Sequence, residues 1–200
     1  MDQRVWDERY SGSELVWTAA ANRFLVAEVA DLAPGRAADL AAGECRNAVW
    51  LAERGWDVDA IDFSAVGLEK GVRLSEHRGV SDAVHPVVAD LTGWSSPRRY
   101  DLVLVAYLHL PEPTRTAVFS AAAEAVAPGG TLLVIGHDLA NLDGGYGGPQ
   151  DPAVLTTAPA LVAAIGPLDV IRAEPVERPV ATPDGERIAI DHVLRAVRTA

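Results

Sequence analysis

The residues with usable chemistry in this sequence of 200 residues sit where apolar runs end. His109 follows the run Tyr100 to Tyr107 (YDLVLVAY), inside Ala106-Tyr107-Leu108-His109-Leu110-Pro111. His137 follows the run Thr131 to Gly136 (TLLVIG) and precedes Asp138. A histidine at such a place can act as a general base at neutral pH, and a neighbouring carboxylate can set its pKa. Adjacent residues of a strand point to opposite faces, however, so His137 and Asp138 need not touch. His109 also reads as a turn residue bonded to backbone, and Tyr107 as a packing residue or as a pocket wall.

Three carboxylates end three further runs. Asp39 precedes the small-residue turn Leu40-Ala41-Ala42-Gly43-Glu44-Cys45, where the backbone can approach a ligand closely. Asp62-Phe63 ends the second run, and an acid there can accept two hydrogen bonds from a ribose diol. Asp90-Leu91 ends the third, where a carboxylate can accept from an adenine amino group. His77, His85 and His192 read as surface residues, and no H-x-x-H or similar spacing supports a metal site. Cys45 is the one cysteine, which excludes an intramolecular disulfide and a thiolate zinc site.

The elements that must position these residues alternate. Arg36 to Ala41 leads into the turn, and Glu44 to Arg54 follows at helical spacing with Ala48, Leu51 and Ala52 on one face. Gly55 ends that helix. Trp56 to Asp62 reads as a strand, Ser64 as the N-cap of a helix to about Glu76, and Val84 to Asp90 as a strand placed at a sheet edge by Pro86. Tyr100 to Tyr107 is a strand buried on both faces. Pro113 to Ala127 is a helix ended by Pro128-Gly129-Gly130, and Thr131 to Gly136 is the next buried strand. Asn141 to Gln150 is a glycine-rich mobile loop, with Asp143 to Gly148 a candidate substrate lid. Pro152 to Ile165 is a helix. Leu168 to Val180 and Ile188 to Arg198 form a hairpin through Thr182-Pro183-Asp184-Gly185. The expected fold is α/β: a doubly wound, mostly parallel seven-stranded sheet, helices on both faces, and a C-terminal antiparallel hairpin. Ligands of such sheets sit at the carboxyl ends of the strands, near the switch in strand order.

Composition agrees. Hydrophobic residues make up 49% and charged residues 22%, which is globular. A net charge of -11 disfavours nucleic acid and anionic membrane as partners. No stretch is long and apolar enough to span a bilayer, and the charged start MDQRVWDERY lacks the apolar core of a signal peptide, so a cytoplasmic location is expected. One domain over residues 1–200 is expected, with an N-terminal helical segment at 1–30 and the core at 36–200. Oligomeric state is not legible.

The run from Trp6-Asp7-Glu8-Arg9-Tyr10 to the hairpin resembles the class I S-adenosylmethionine-dependent methyltransferases. It looks most like a small bacterial branch that includes tellurite-resistance-type and thiol methyltransferases. That family's first turn usually reads acid-x-Gly-x-Gly-x-Gly. Here Asp39 supplies the acid and Gly43 remains, while Ala41 and Cys45 replace glycines. Val126 to Val134 (VAPGGTLLV) is similar to the family's segment before the fifth strand. The resemblance implies S-adenosyl-L-methionine as cofactor. Asp39 would face its ammonium group, Asp62 with Phe63 its ribose, and Asp90 with Leu91 its adenine, with Ala41, Gly43, Glu44 and Tyr107 around it. The N-terminal segment would fold over the cofactor, with Tyr10 and Trp17 near the sulfonium, a cation that aromatic faces attract. It implies methyl transfer to a small-molecule acceptor such as a thiol or phenol, with His109 and His137 as catalytic candidates and no metal. A non-transferring cofactor-binding protein on the same fold is the alternative that Ala41 and Cys45 leave open. A dinucleotide-binding turn needs G-x-G-x-x-G, and Ala41, Gly43 and Arg46 fail two of its three glycines.

Overall fold

The computed structural model describes residues 3–200. Met1 and Asp2, part of the expected N-terminal segment, lie outside the described residues. Two short helices open the chain, α1 (Gln3–Tyr10) and α2 (Arg23–Glu28). Then come β1 (Arg36–Leu40), α3 (Arg46–Ala52), β2 (Asp57–Asp62), α4 (Ala65–Arg78), β3 (Val84–Val88) and β4 (Tyr100–Ala106). The chain continues with α5 (Thr114–Glu124), β5 (Val126–His137), α6 (Ala158–Ala164), β6 (Asp169–Thr182) and β7 (Gly185–Val197).

The strands form a 7-stranded sheet in the order β3-β2-β1-β4-β5-β7-β6. The first five in that order run parallel, and β7 pairs antiparallel with both β5 and β6. This is the expected doubly wound sheet with its C-terminal antiparallel hairpin. The order reverses between β1 and β4, which opens a crevice at their carboxyl ends. Pro86 lies in the edge strand β3, where its missing N–H leaves no ladder bond unmade. Successive residues of β4 feed opposite layers. Val103 and Val105 join α5 and α6 in one core, and Leu102 and Leu104 join α2, α3 and α4 in the other.

Local chemistry sets the ends of the elements. Ser64 caps α4 by accepting from the Gly67 amide at 3.1 Å, and Gly79 (φ 70°) ends it at Arg78, past the expected Glu76. Helix α3 is shorter than the expected span of 44–54, because Cys45 at its N-cap is left-handed (φ 59°) and cannot be helical. Strand β5 starts at Val126, well before Thr131. Val126 pairs with Tyr100 and Thr131 with Leu102, so Pro128-Gly129-Gly130 bulges within a strand instead of ending a helix. The helix expected over 152–165 divides into a 3-10 turn at Pro152–Val154 and α6. Pro159 accounts for the division: it fits only the first turn of a helix, and Thr157 caps α6 through the Ala160 amide.

The glycine-rich segment is more built than expected. Leu139–Asp143 is a 3-10 turn. Asn141 then ties the loop to β7, donating to the Gly147 carbonyl (2.8 Å) and accepting from the Ile190 amide (2.7 Å).

Candidate functional site

A cavity of about 820 Å³ lies over the carboxyl ends of β1 to β5, within the range of small-molecule sites. Its floor starts at the turn after β1. Ala41, Gly43 and Cys45 have φ of 60°, 55° and 59°, so all three positions where the family prefers glycine are left-handed. Each non-glycine residue there costs about 1–2 kcal/mol. Asp62 holds the turn: its oxygens accept from the amides of Gly43 and Ser64, both at 2.8 Å. Burial raises the Asp62 pKa and these amides pull it back, with a net rise. The Cys45 side chain points away from the cavity, toward α4. A Cβ placed on Gly71 would stand 2.2 Å from its Sγ, so Gly71 is what gives the thiol room.

Asp39 lies beneath the turn, fully buried, and does not line the cavity. Neither of its oxygens finds a hydrogen-bond partner among the described residues, and burial pushes its pKa up to about 7. Phe63, Asp90 and Leu91 line the cavity beyond β2 and β3. Asp90 is exposed and accepts from the Thr92 amide at 2.9 Å.

The roof comes from the N-terminal segment. Tyr10 is buried over the turn, where a Cβ on Gly43 would stand 2.8 Å from its hydroxyl. Glu44 accepts from the amides of Val16 (2.9 Å) and Trp17 (3.0 Å) and pairs with buried Lys70 at 3.1 Å. Lys70 also donates to the Glu14 carbonyl. Trp17 lines the cavity, but one of its faces already carries a cation, the Arg9 guanidinium 4.9 Å from the ring centroid. Asn47 accepts from the Asn22 amide at 2.9 Å, a second tie between segment and floor.

Opposite the turn, beyond β4 and β5, the side chains form one network. Tyr107 is left-handed (φ 57°), a strained backbone of the kind that collects at functional sites. His137 Nδ1 lies 3.0 Å from Asp191 Oδ1, and Asp191 is fully buried. Its Oδ2 accepts from the Tyr107 hydroxyl (2.7 Å) and from Arg178 Nε (2.6 Å). Burial alone would raise the Asp191 pKa; the donors of His137, Arg178 and Tyr107 outweigh it and hold the carboxylate low. His109 stacks on His137, with centroids 5.4 Å apart and planes 16° from parallel. Burial, aided by His137 and His192, takes its pKa down to about 4, so the ring is neutral at pH 7. His137 Nε2 makes no hydrogen bond among the described residues, and a Cβ on Gly148 would stand 2.9 Å from it.

One expectation is corrected here, that His192 lies at the surface, and the open relation of His137 to Asp138 is answered. The carboxylate beside His137 is Asp191, not Asp138, because strand alternation turns Asp138 to the other face. There Asp138 accepts from the Ala140 amide at 3.0 Å and lies 3.8 Å from His192 Nδ1. His192 is buried, not a surface residue, and its pKa falls to about 4 by burial. Antiparallel register explains both, since His137 faces Asp191 and Gly136 faces His192. The sequence held a signal for them: Asp191-His192 interrupts an apolar strand, and buried polar groups need partners. His77 and His85 are exposed, as read. No cluster of three or more metal-ligating side chains occurs among the described residues. No described helix is long and apolar enough to cross a membrane.

Residues 37–130 match the family model described as a methyltransferase domain. No curated protein matches the chain by sequence. Among solved structures, one concerns conversion of a disulfide bond into a thioacetal group during echinomycin biosynthesis. It shares 21% identity at a TM-score of 0.76, covering 98% of this chain and 91% of its own. TehB from Haemophilus influenzae shares 15% at 0.72, covering 98% and 67%. The N-methyltransferase NodS from Bradyrhizobium japonicum WM9, in complex with S-adenosyl-L-homocysteine, shares 13% at 0.72, covering 99% and 98%.

Proposed function

We infer the function from the premise that the chain belongs with the class I S-adenosylmethionine-dependent methyltransferases, whose domain model matches residues 37–130 and whose fold it has. The reading is methyl transfer to a small-molecule acceptor with a weakly acidic nucleophile, a thiol or a phenol. The single observation that carries the acceptor chemistry is the His137–Asp191 pair at the cavity wall, with Nε2 free of protein partners.

The residues fit the cofactor. The floor turn brings bare backbone to the cavity, Gly43 leaves no room for a side chain beneath Tyr10, and buried Asp39 holds an unpartnered carboxylate below. Ala41, Gly43, Asp62 and Phe63 would border the ribose side, Asp90 and Leu91 the adenine, and Tyr10, Trp17 and Tyr107 the methionine end. Glu44 works from behind by anchoring the segment that covers this end, and Asp39 sets local charge from beneath the turn. When bound, the cofactor supplies an electrophilic methyl group.

The chain's own residues then align the acceptor and exclude water. Tyr10, Trp17 and the Gly148-Pro149 part of the loop wall the cavity from solvent. His137 Nε2 takes the proton of the acceptor's S–H or O–H, and the imidazolium that results is stabilised by Asp191 at Nδ1. His109, neutral at working pH, supports the ring by stacking and adds no competing charge. The setting of this reading is a cytoplasmic enzyme acting without nucleic acid or membrane, supported by the acidic charge.

Release of S-adenosylhomocysteine during incubation with a panel of thiols and phenols tests the reading. His137→Gln should lower kcat by about 10²–10⁴-fold on any accepted substrate. Full activity in that variant would remove His137 from the mechanism.

A further inference from the structure

Charge inside the cavity is arranged differently from charge over the whole chain. The chain carries -11, and three acids line the cavity: Glu44, Asp62 and Asp90. Each already accepts hydrogen bonds from backbone amides at the floor, the roof or the β3 end. Four arginines line it as well, Arg9, Arg23, Arg46 and Arg178; Arg46 follows the floor turn, and Arg178 belongs to the network of His137 and Asp191. The Arg46 side chain makes no hydrogen bond or ion pair among the described residues, though it is half-buried at the cavity wall.

Arg178 and His137 both stand beside the Tyr107 ring. The Arg178 guanidinium carbon is 5.8 Å from the Tyr107 ring centroid, and the His137 centroid is 5.0 Å from it. Burial and the like charge of Arg178 both pull the Arg46 pKa down, while Tyr107 and Asp39 oppose them. Arg178 commits only Nε to Asp191, which is itself shared with His137 and Tyr107. A half-buried cation near a second one presents donors that no protein group takes. A bidentate anion satisfies that arrangement.

We propose that the acceptor carries a carboxylate or an equivalent anionic group, held by Arg46 and Arg178, next to the acidic proton that His137 removes. The proposal rests on the methyl-transfer reading for the identity of the bound molecule as acceptor, and on the cavity's own charges for the anion. Arylthiols and phenols with a nearby carboxylate meet both requirements.

Calorimetry on the protein loaded with S-adenosylhomocysteine, titrated with 2-mercaptobenzoate and with its neutral counterpart 2-mercaptobenzyl alcohol, tests it. The carboxylate probe should bind about tenfold or more tightly than the alcohol, as expected for charged hydrogen bonds. In Arg46→Met that advantage should disappear while S-adenosylhomocysteine affinity is kept. Equal affinities, no binding of either probe, or loss of S-adenosylhomocysteine affinity in the variant would each overturn the proposal; the last would assign Arg46 to the cofactor's own carboxylate. If the variant does not fold, the probe pair on the wild-type protein decides. If S-adenosylhomocysteine itself does not bind, the methyl-transfer reading fails, and the same titrations without it still decide the anion preference.

Discussion

Cys45 shows how a residue that departs from a family's pattern can be harmless. Its backbone takes the left-handed conformation that glycine adopts easily, and its thiol points toward Gly71, not into the cavity. The departure therefore loads the backbone and α4, not the ligand site. Cys45→Gly should leave S-adenosylhomocysteine affinity unchanged in calorimetry. Stability in urea should move by about 1 kcal/mol or less, since relief of the left-handed strain offsets lost packing. Markedly tighter binding would mean that the thiol intrudes on the cavity after all. At the same scale, His137 and Asp138 do not meet. They are neighbours in sequence, and a strand separates neighbours while it joins residues far apart. Asp191 reaches His137 only through the register of β5 with β7.

At the scale of elements, α2 of the N-terminal segment packs Leu25 and Val29 into the core, while the stretch around Val16 and Trp17 is held to the floor by polar ties. The buried Lys70–Glu44 pair is the main one, since Glu44 also receives the amides of Val16 and Trp17. Lys70→Met leaves Glu44 buried without its countercharge. It should cost about 3–5 kcal/mol in urea unfolding, the usual consequence of removing one partner of a buried pair. It should also weaken S-adenosylhomocysteine binding, because the roof loses its anchor. An unchanged affinity in the folded variant would show that the roof does not contribute to the site. The alternating strands and helices were legible, because β4 and β5 are continuous apolar runs and Ser64, Gly79 and the Pro183-Asp184 turn carry local signals. Boundaries were less so. The early start of β5 depends on pairing with Tyr100, which is tertiary, while the division of 152–165 had a local signal in Pro159 that the helical reading passed over. Asp62, Phe63, Asp90, Leu91 and Tyr107, which follow or close strands, were legible as cavity-lining positions. Arg178 and Asp191 were not, because the hairpin brings them to His137 from the far end of the chain.

For the whole molecule, the parallel half of the sheet and the hairpin contribute different things to one cavity. Strands β1 to β3 and the turn after β1 bring acids and bare backbone, the chemistry suited to a nucleoside and an amino-acid tail. The ends of β4 and β5 meet the hairpin, which adds Arg178 and Asp191 to the imidazoles. This division ties the account to its central claim, that the cavity binds S-adenosylmethionine through the turn held by Asp62. The direct measurement is calorimetric titration of the purified protein with S-adenosylmethionine and S-adenosylhomocysteine, repeated on Asp62→Ala with its fold checked by circular dichroism. The account predicts micromolar or tighter binding of both by the wild-type protein and loss of binding by the folded variant. Absence of binding by the wild-type protein, or equal binding by the variant, would contradict it.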